Sequence, residues 1–186
     1  FAHFFFMSSH LERLAEILEE YPNVSVDLTP GIEMFFNFSK NPEKARDFFI
    51  RYQDRILFGT DIGAKALLGD PEEGIKYEES RGRVSVVRNF LELDIEYHLP
   101  AGSGFLFGED KTLLHGIGLP KGVLEKIYKS NFERIAGKQP RGLNPGLITA
   151  FCEQLENTIS AQGSSQPGIP GDKSVAEMVR AHFKSV

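Results

Sequence analysis

The first sixty residues alternate short apolar runs with amphipathic stretches, and this alternation constrains the fold more than any other feature of the chain. The chain opens Phe1-Ala2-His3-Phe4-Phe5-Phe6, a run apolar on both faces, of the kind parallel sheets bury. Ser9-His10-Leu11-Glu12 has capping-box spacing. Leu11, Leu14, Ala15 and Leu18 then recur at i, i+3, i+4 and i+7, which predicts a helix with one buried stripe. Pro22-Asn23 stops it, and Val24-Ser25-Val26-Asp27-Leu28 predicts a second strand. Asn41-Pro42 supplies an N-cap followed by proline at the first helical position, with Ala45, Phe48, Phe49 and Tyr52 facing inward. Arg55-Ile56-Leu57-Phe58-Gly59-Thr60-Asp61 predicts a third strand. Such an order calls for parallel pairing through right-handed crossovers. The strand spacings, roughly 23 and 31 residues, approach the ~31 per unit of an eight-unit barrel.

The opening run is too short, and lacks a basic flank, to be a signal peptide. A chain that starts in mid-strand is expected to belong to a longer protein. Three parallel strands do not close a barrel, so the expectation is an open sheet with helices on one face. The apolar surface left uncovered would favour a homo-oligomer or aggregation.

Beyond Asp61 the pattern changes. A glycine- and charge-rich loop over 63–75 leads to a helix over 77–93, an irregular stretch over 94–118, and a helix over 120–136 closed by Gly137. Leu124, Ile127, Tyr128 and Ile135 are its expected inward positions. Two more helices, 145–161 and 174–184, flank a loop over 163–172. The net charge of −5 argues against nucleic acid, whose phosphates need a surplus of Lys and Arg. No apolar run approaches the ~20 residues of a membrane span. A single cysteine, Cys152, fits a reducing and hence cytoplasmic compartment.

Three segments together resemble the amidohydrolase superfamily, in its amidohydrolase-related branch of metal-dependent TIM-barrel hydrolases. Ala2-His3, a helix, and then Tyr21-Pro22-Asn23-Val24-Ser25-Val26-Asp27 resemble that family's strand-six histidine, helix six and strand seven. The run from Arg55 to Asp61 resembles strand eight with its terminal aspartate. The run from Ile127 to Gly137, with Asn131 and Arg134 before a short apolar end, resembles the closing helix. The resemblance implies an α/β fold: the C-terminal part of a (β/α)8 barrel, strands six to eight, over residues 1–137. Residues 138–186 are then a helical extension on the same domain. It further implies a divalent metal ion, zinc before others, and hydrolysis of an amide, ester or lactone in a small-molecule substrate by metal-activated water. Decarboxylation on the same barrel is the alternative within the family, and a non-catalytic binding or assembly chain is the alternative outside it. The family's His-x-His pair has no counterpart here, since the five histidines (His3, His10, His98, His115 and His182) all stand alone. The chain by itself is therefore expected to be inactive.

Asp61 is the first candidate, as catalytic residue and metal ligand. A carboxylate ending a parallel strand sits where barrel active sites are built, able to hold a cation and to take a proton from water whose pKa the metal lowers from ~16 towards ~7. A turn or N-cap aspartate is the plainer reading. His3, at the end of the opening strand, is the second catalytic candidate, placed to polarise a substrate carbonyl; a histidine satisfied by backbone groups is its plainer reading. Ser25, Asp27 and Thr29 share one strand face, which puts Thr29 forward for substrate contact and Asp27 either there or bracing a loop. The aromatic stretch 34–38 reads as core before pocket lining. The glycines of 102–108 lack the strand-before, helix-after context of a phosphate loop. Glu78 and Glu79, beside Arg81 and Arg83, read as a solvated helix face.

Overall fold

The computed structural model describes residues 1–30, 33–62, 77–99, 113–139, 142–161 and 175–184. They fall into two compact units, Phe1–Lys138 and Gln139–Val186. In the first unit, α1 (Leu11–Glu20) buries Leu11, Leu14 and Leu18, the predicted stripe. The capping box does not form: His10 takes the N-cap position without a side-chain bond. α2 (Met34–Ser39) buries Met34, Phe35 and Phe38, so the aromatic stretch is core and helical. α3 (Pro42–Arg51) starts as the Asn-Pro pair implies, with the Asn41 side chain accepting from the Lys44 amide at 3.0 Å.

Two short strands lie in parallel, β1 (Val26–Asp27) and β2 (Ile56–Leu57), in the register Val26 to Ile56 and Asp27 to Leu57. Arg55, at the foot of β2, donates to the carbonyls of Val24 at 2.5 Å, Leu18 at 3.2 Å and Tyr21 at 2.6 Å. It thereby satisfies carbonyls that the end of α1 leaves open and ties the helix to the strand.

The barrel expectation is overturned. The described residues are mostly helical, and their strands form two two-stranded sheets rather than strands six to eight of a barrel. The opening run runs beside β1 for one residue only: the Phe1 amino group donates to Ser25 O at 2.6 Å, and the Asp27 amide to Phe1 O at 3.1 Å. His3–Phe6 then turn left-handed, each with φ between 53° and 55°. That backbone costs non-glycine residues about 1–2 kcal/mol each, but it swings the Phe4 ring inward. Phe4 stacks on Phe49 at 5.6 Å and meets Phe38 edge-on at 5.0 Å. The far edge of β2 is taken as well, because the Phe58 amide donates to Ile127 O at 3.0 Å. With both edges engaged by a turn and a helix, the parallel pair has no open ladder for further strands.

Helix α4 (Tyr77–Glu92) closes the core with Val86, Val87, Phe90 and Leu91. Phe4, Phe35, Phe38, Phe49 and Phe90 are wholly buried, their rings largely edge-to-face at 5.0–6.3 Å. This cluster fills the apolar surface that an open sheet would have left bare. Within the stretch read as irregular, β3 (Glu96–His98) and β4 (Leu113–His115) pair antiparallel. The glycine-rich loops over 63–75, 102–108 and 163–172 lie outside the described residues.

The predicted closing helix has three parts: α5 (Lys121–Glu125), a wider π turn (Lys126–Ser130) and α6 (Asn131–Ala136). In the π turn the Asn131 amide bonds Lys126 O, which leaves Ile127 O to accept from Phe58. Buried Asn131 donates to Gln53 O at 2.7 Å and Ile56 O at 2.8 Å, while Arg134 donates to Asp54 O at 2.6 Å. Ile135, expected inward, is 53% exposed. Gly137, at φ 92°, ends the helix.

The second unit pairs α7 (Pro145–Ala161) with α8 (Val175–Lys184). Asn144 caps α7 through the Leu147 amide at 3.0 Å. No helix among the described residues is long and apolar enough to cross a membrane.

Candidate functional site

The register of β1 and β2 carries both strands to one end, where Thr29 lies against Gly59. A Cβ on Gly59 would fall 2.6 Å from Thr29 Oγ1 and 2.9 Å from its amide nitrogen, so this close approach requires glycine. The glycine of the Gly-Thr-Asp segment is thus explained by packing. Two polar groups stand at this end.

The first is built on Asp27, whose Oδ1 accepts the His3 amide at 3.1 Å and the Thr29 amide at 2.9 Å. Asp27 therefore braces the two segments beside it, as its plainer reading held. His3 Nδ1 lies 3.1 Å from Thr29 O. A carbonyl only accepts, so Nδ1 is the donor in this bond, which leaves Nε2 outside it. The ring stacks on Phe6 at 5.3 Å. His3 and Thr29 are thus brought together, through a main-chain oxygen of Thr29.

The second group is built on Asp61, left-handed at φ 56°, a conformation aspartate tolerates better than most residues. Its side chain is 45% exposed. Arg83 Nη1 donates to Asp61 Oδ2 at 3.0 Å and to its main-chain oxygen at 3.1 Å. Arg83 Nε and Nη2 both donate to Glu79 Oε1, at 3.0 and 2.7 Å. The Arg83 side chain is only 5% exposed, so the solvated-face reading of Glu79 and Arg83 is corrected. The signal was there: Arg83, Val86, Val87 and Phe90 stand at i, i+3, i+4 and i+7, one stripe that Arg83 shares with the core.

These residues do not make a divalent-metal site. Among the described residues no group of three or more His, Cys, Asp and Glu side chains is placed to hold a metal. The one carboxylate proposed as a ligand is already bonded to a buried guanidinium. The other histidines are elsewhere: His10 precedes α1, His98 and His115 lie on β3 and β4, and His182 is on α8. Compared with known proteins, the chain matches no family model, no curated protein and no solved structure. The amidohydrolase resemblance rests on the residues quoted for it alone.

Proposed function

We propose that the shared end of β1 and β2 is part of a hydrolase site acting on an amide, ester or lactone, with Asp61 as its working carboxylate. The observation that carries this reading is the parallel register, which brings Thr29 against Gly59 two residues beyond the strand ends, with Asp61 two residues further on. Asp61 accepts a proton from water. His3, with Nδ1 committed to Thr29 O, offers Nε2 towards a substrate group. Thr29 holds that ring in place and keeps its hydroxyl at the Gly59 approach. A divalent cation of the kind the resemblance implies would need donors beyond Asp61 and His3.

Assaying the protein against amides, esters and lactones tests this. Asp61→Asn is expected to lower turnover by about 10²–10⁴-fold, the range for a positioned proton acceptor. Unchanged turnover removes the role, and release of carbon dioxide without acid release replaces hydrolysis by decarboxylation.

A second reading, a binding chain without chemistry, is favoured by one observation: Asp61 is fastened to Arg83 as a structural ion pair would be. Hydrolysis absent in the wild type, with Asp61→Asn lowering only thermal stability, selects this reading.

A further inference from the structure

We propose that the outward face of α7 binds a second copy of this chain, the two α7 helices crossing antiparallel about a twofold axis at Phe151. The second unit alone carries this contact, so it is independent of any chemistry at Asp61. A surface helix ordinarily buries an apolar stripe and turns its charges to water. α7 is turned the other way. Its two acidic residues, Glu153 and Glu156, pair with Arg180 and Lys184 of α8. Its solvent side holds Leu147, Ala150, Phe151, Gln154, Leu155 and Thr158, all exposed and none charged.

The pattern on this face suits one occupant. Leu147, Phe151 and Leu155 stand four residues apart, a row that forms a ridge on a helix surface. Leu143, exposed just before the helix, continues the row. Ridges of this kind interdigitate at a crossing angle of about −50°. The three side chains are spaced alike on either side of Phe151. A twofold antiparallel pairing therefore sets Leu147 beside the partner's Leu155, and Phe151 beside its own copy. In such a contact residues near the axis meet their like, and a charge there would be repelled. A face without charge is what a second copy requires, in a chain that carries −5 overall. A lipid surface does not suit it: helices that lie on membranes carry Lys and Arg beside the apolar face, and α7 holds neither.

The test is sedimentation equilibrium of the full chain from about 1 μM to 1 mM, a span that covers weak and small interfaces. A reversible dimer is expected, one that holds as salt is raised, since apolar contact is not screened. Phe151→Glu, at an exposed position, leaves the fold intact and is expected to raise the dissociation constant about 30-fold or more, as loss of a central aromatic does. Leu147→Glu and Leu155→Lys are each expected to weaken the dimer. An equimolar mixture of these two is expected to regain it, because the antiparallel pair then keeps one apolar contact and gains one ion pair. A dimer that survives in folded Phe151→Glu, a dimer that dissolves at high salt, or a mixture no better than either variant alone overturns the proposal. A monomer over the whole range also overturns it, and binding of that monomer to phosphatidylglycerol vesicles would assign the face to lipid instead.

Discussion

The two units of the chain are held by different forces. Phe1–Lys138 has a core in which five phenylalanines are wholly buried and touch ring to ring. In Gln139–Val186, Cys152 is the one apolar residue counted as buried among those described, while Leu143, Leu147 and Phe151 are 61–72% exposed. Ion pairs also join its helices: Arg180 with Glu156 at 3.1 Å and with Glu153 at 3.7 Å, and Lys184 with Glu153 at 3.1 Å. Burial of apolar surface is worth more than charge pairing between part-exposed groups. The unit that carries the candidate site is therefore the one with the rigid interior, and catalytic or binding groups need such backing to keep their geometry.

The sharpest way to break this comparison is Phe49→Ala. Phe49 touches the rings of Phe4, Phe38, Phe48 and Phe90, and its loss is expected to cost the first unit about 3–5 kcal/mol in denaturant unfolding. A cost below 1 kcal/mol would mean that the aromatic cluster does not hold the unit. Next comes Asn131→Ala, which strands the carbonyls of Gln53 and Ile56 at the foot of β2. The Ile56 carbonyl, buried in this bond, costs about 1–3 kcal/mol when left alone, whereas water can reach that of Gln53, so a drop in that range is expected and unchanged stability would argue against it. Smallest is Arg180→Ala, expected to change stability by no more than about 1 kcal/mol and by still less at high salt. A salt-independent loss as large as that of Phe49→Ala would erase the distinction between the units.

The candidate residues were legible to different degrees. His3, Thr29 and Asp61 follow from strand periodicity and the resemblance, and two of them are joined in space. Arg83 was obscured because a charged stretch, Glu78 to Arg83, has the composition of a solvated face. Its burial depends on Asp61 and Glu79 being there to receive it, which composition does not report. The π turn was equally hidden, since the 120–136 segment carries ordinary helix signals and only the Phe58 amide gives its loose carbonyl a partner.

By itself the sequence determined what acts within a turn or two of chain. Asn41-Pro42 starts α3 by supplying a cap and a preset φ, the Leu11–Leu14–Leu18 stripe makes α1 amphipathic, and the apolar runs around Val26 and Ile56 extend and pair in parallel. Only the tertiary structure decided what happens at the edges of that pair. The opening phenylalanines leave the ladder because Phe4 gains a place among Phe38 and Phe49, and the far edge of β2 closes on Ile127 rather than on another strand. Edge hydrogen bonds are satisfied by whichever distant donor or acceptor packing brings near, so a local pattern that suits a barrel strand suits this helical fold as well. Asp61 shows the same division: the sequence suggested a strand running up to it, whereas β2 stops at Leu57 and the position of Asp61 is held by its distant partner Arg83.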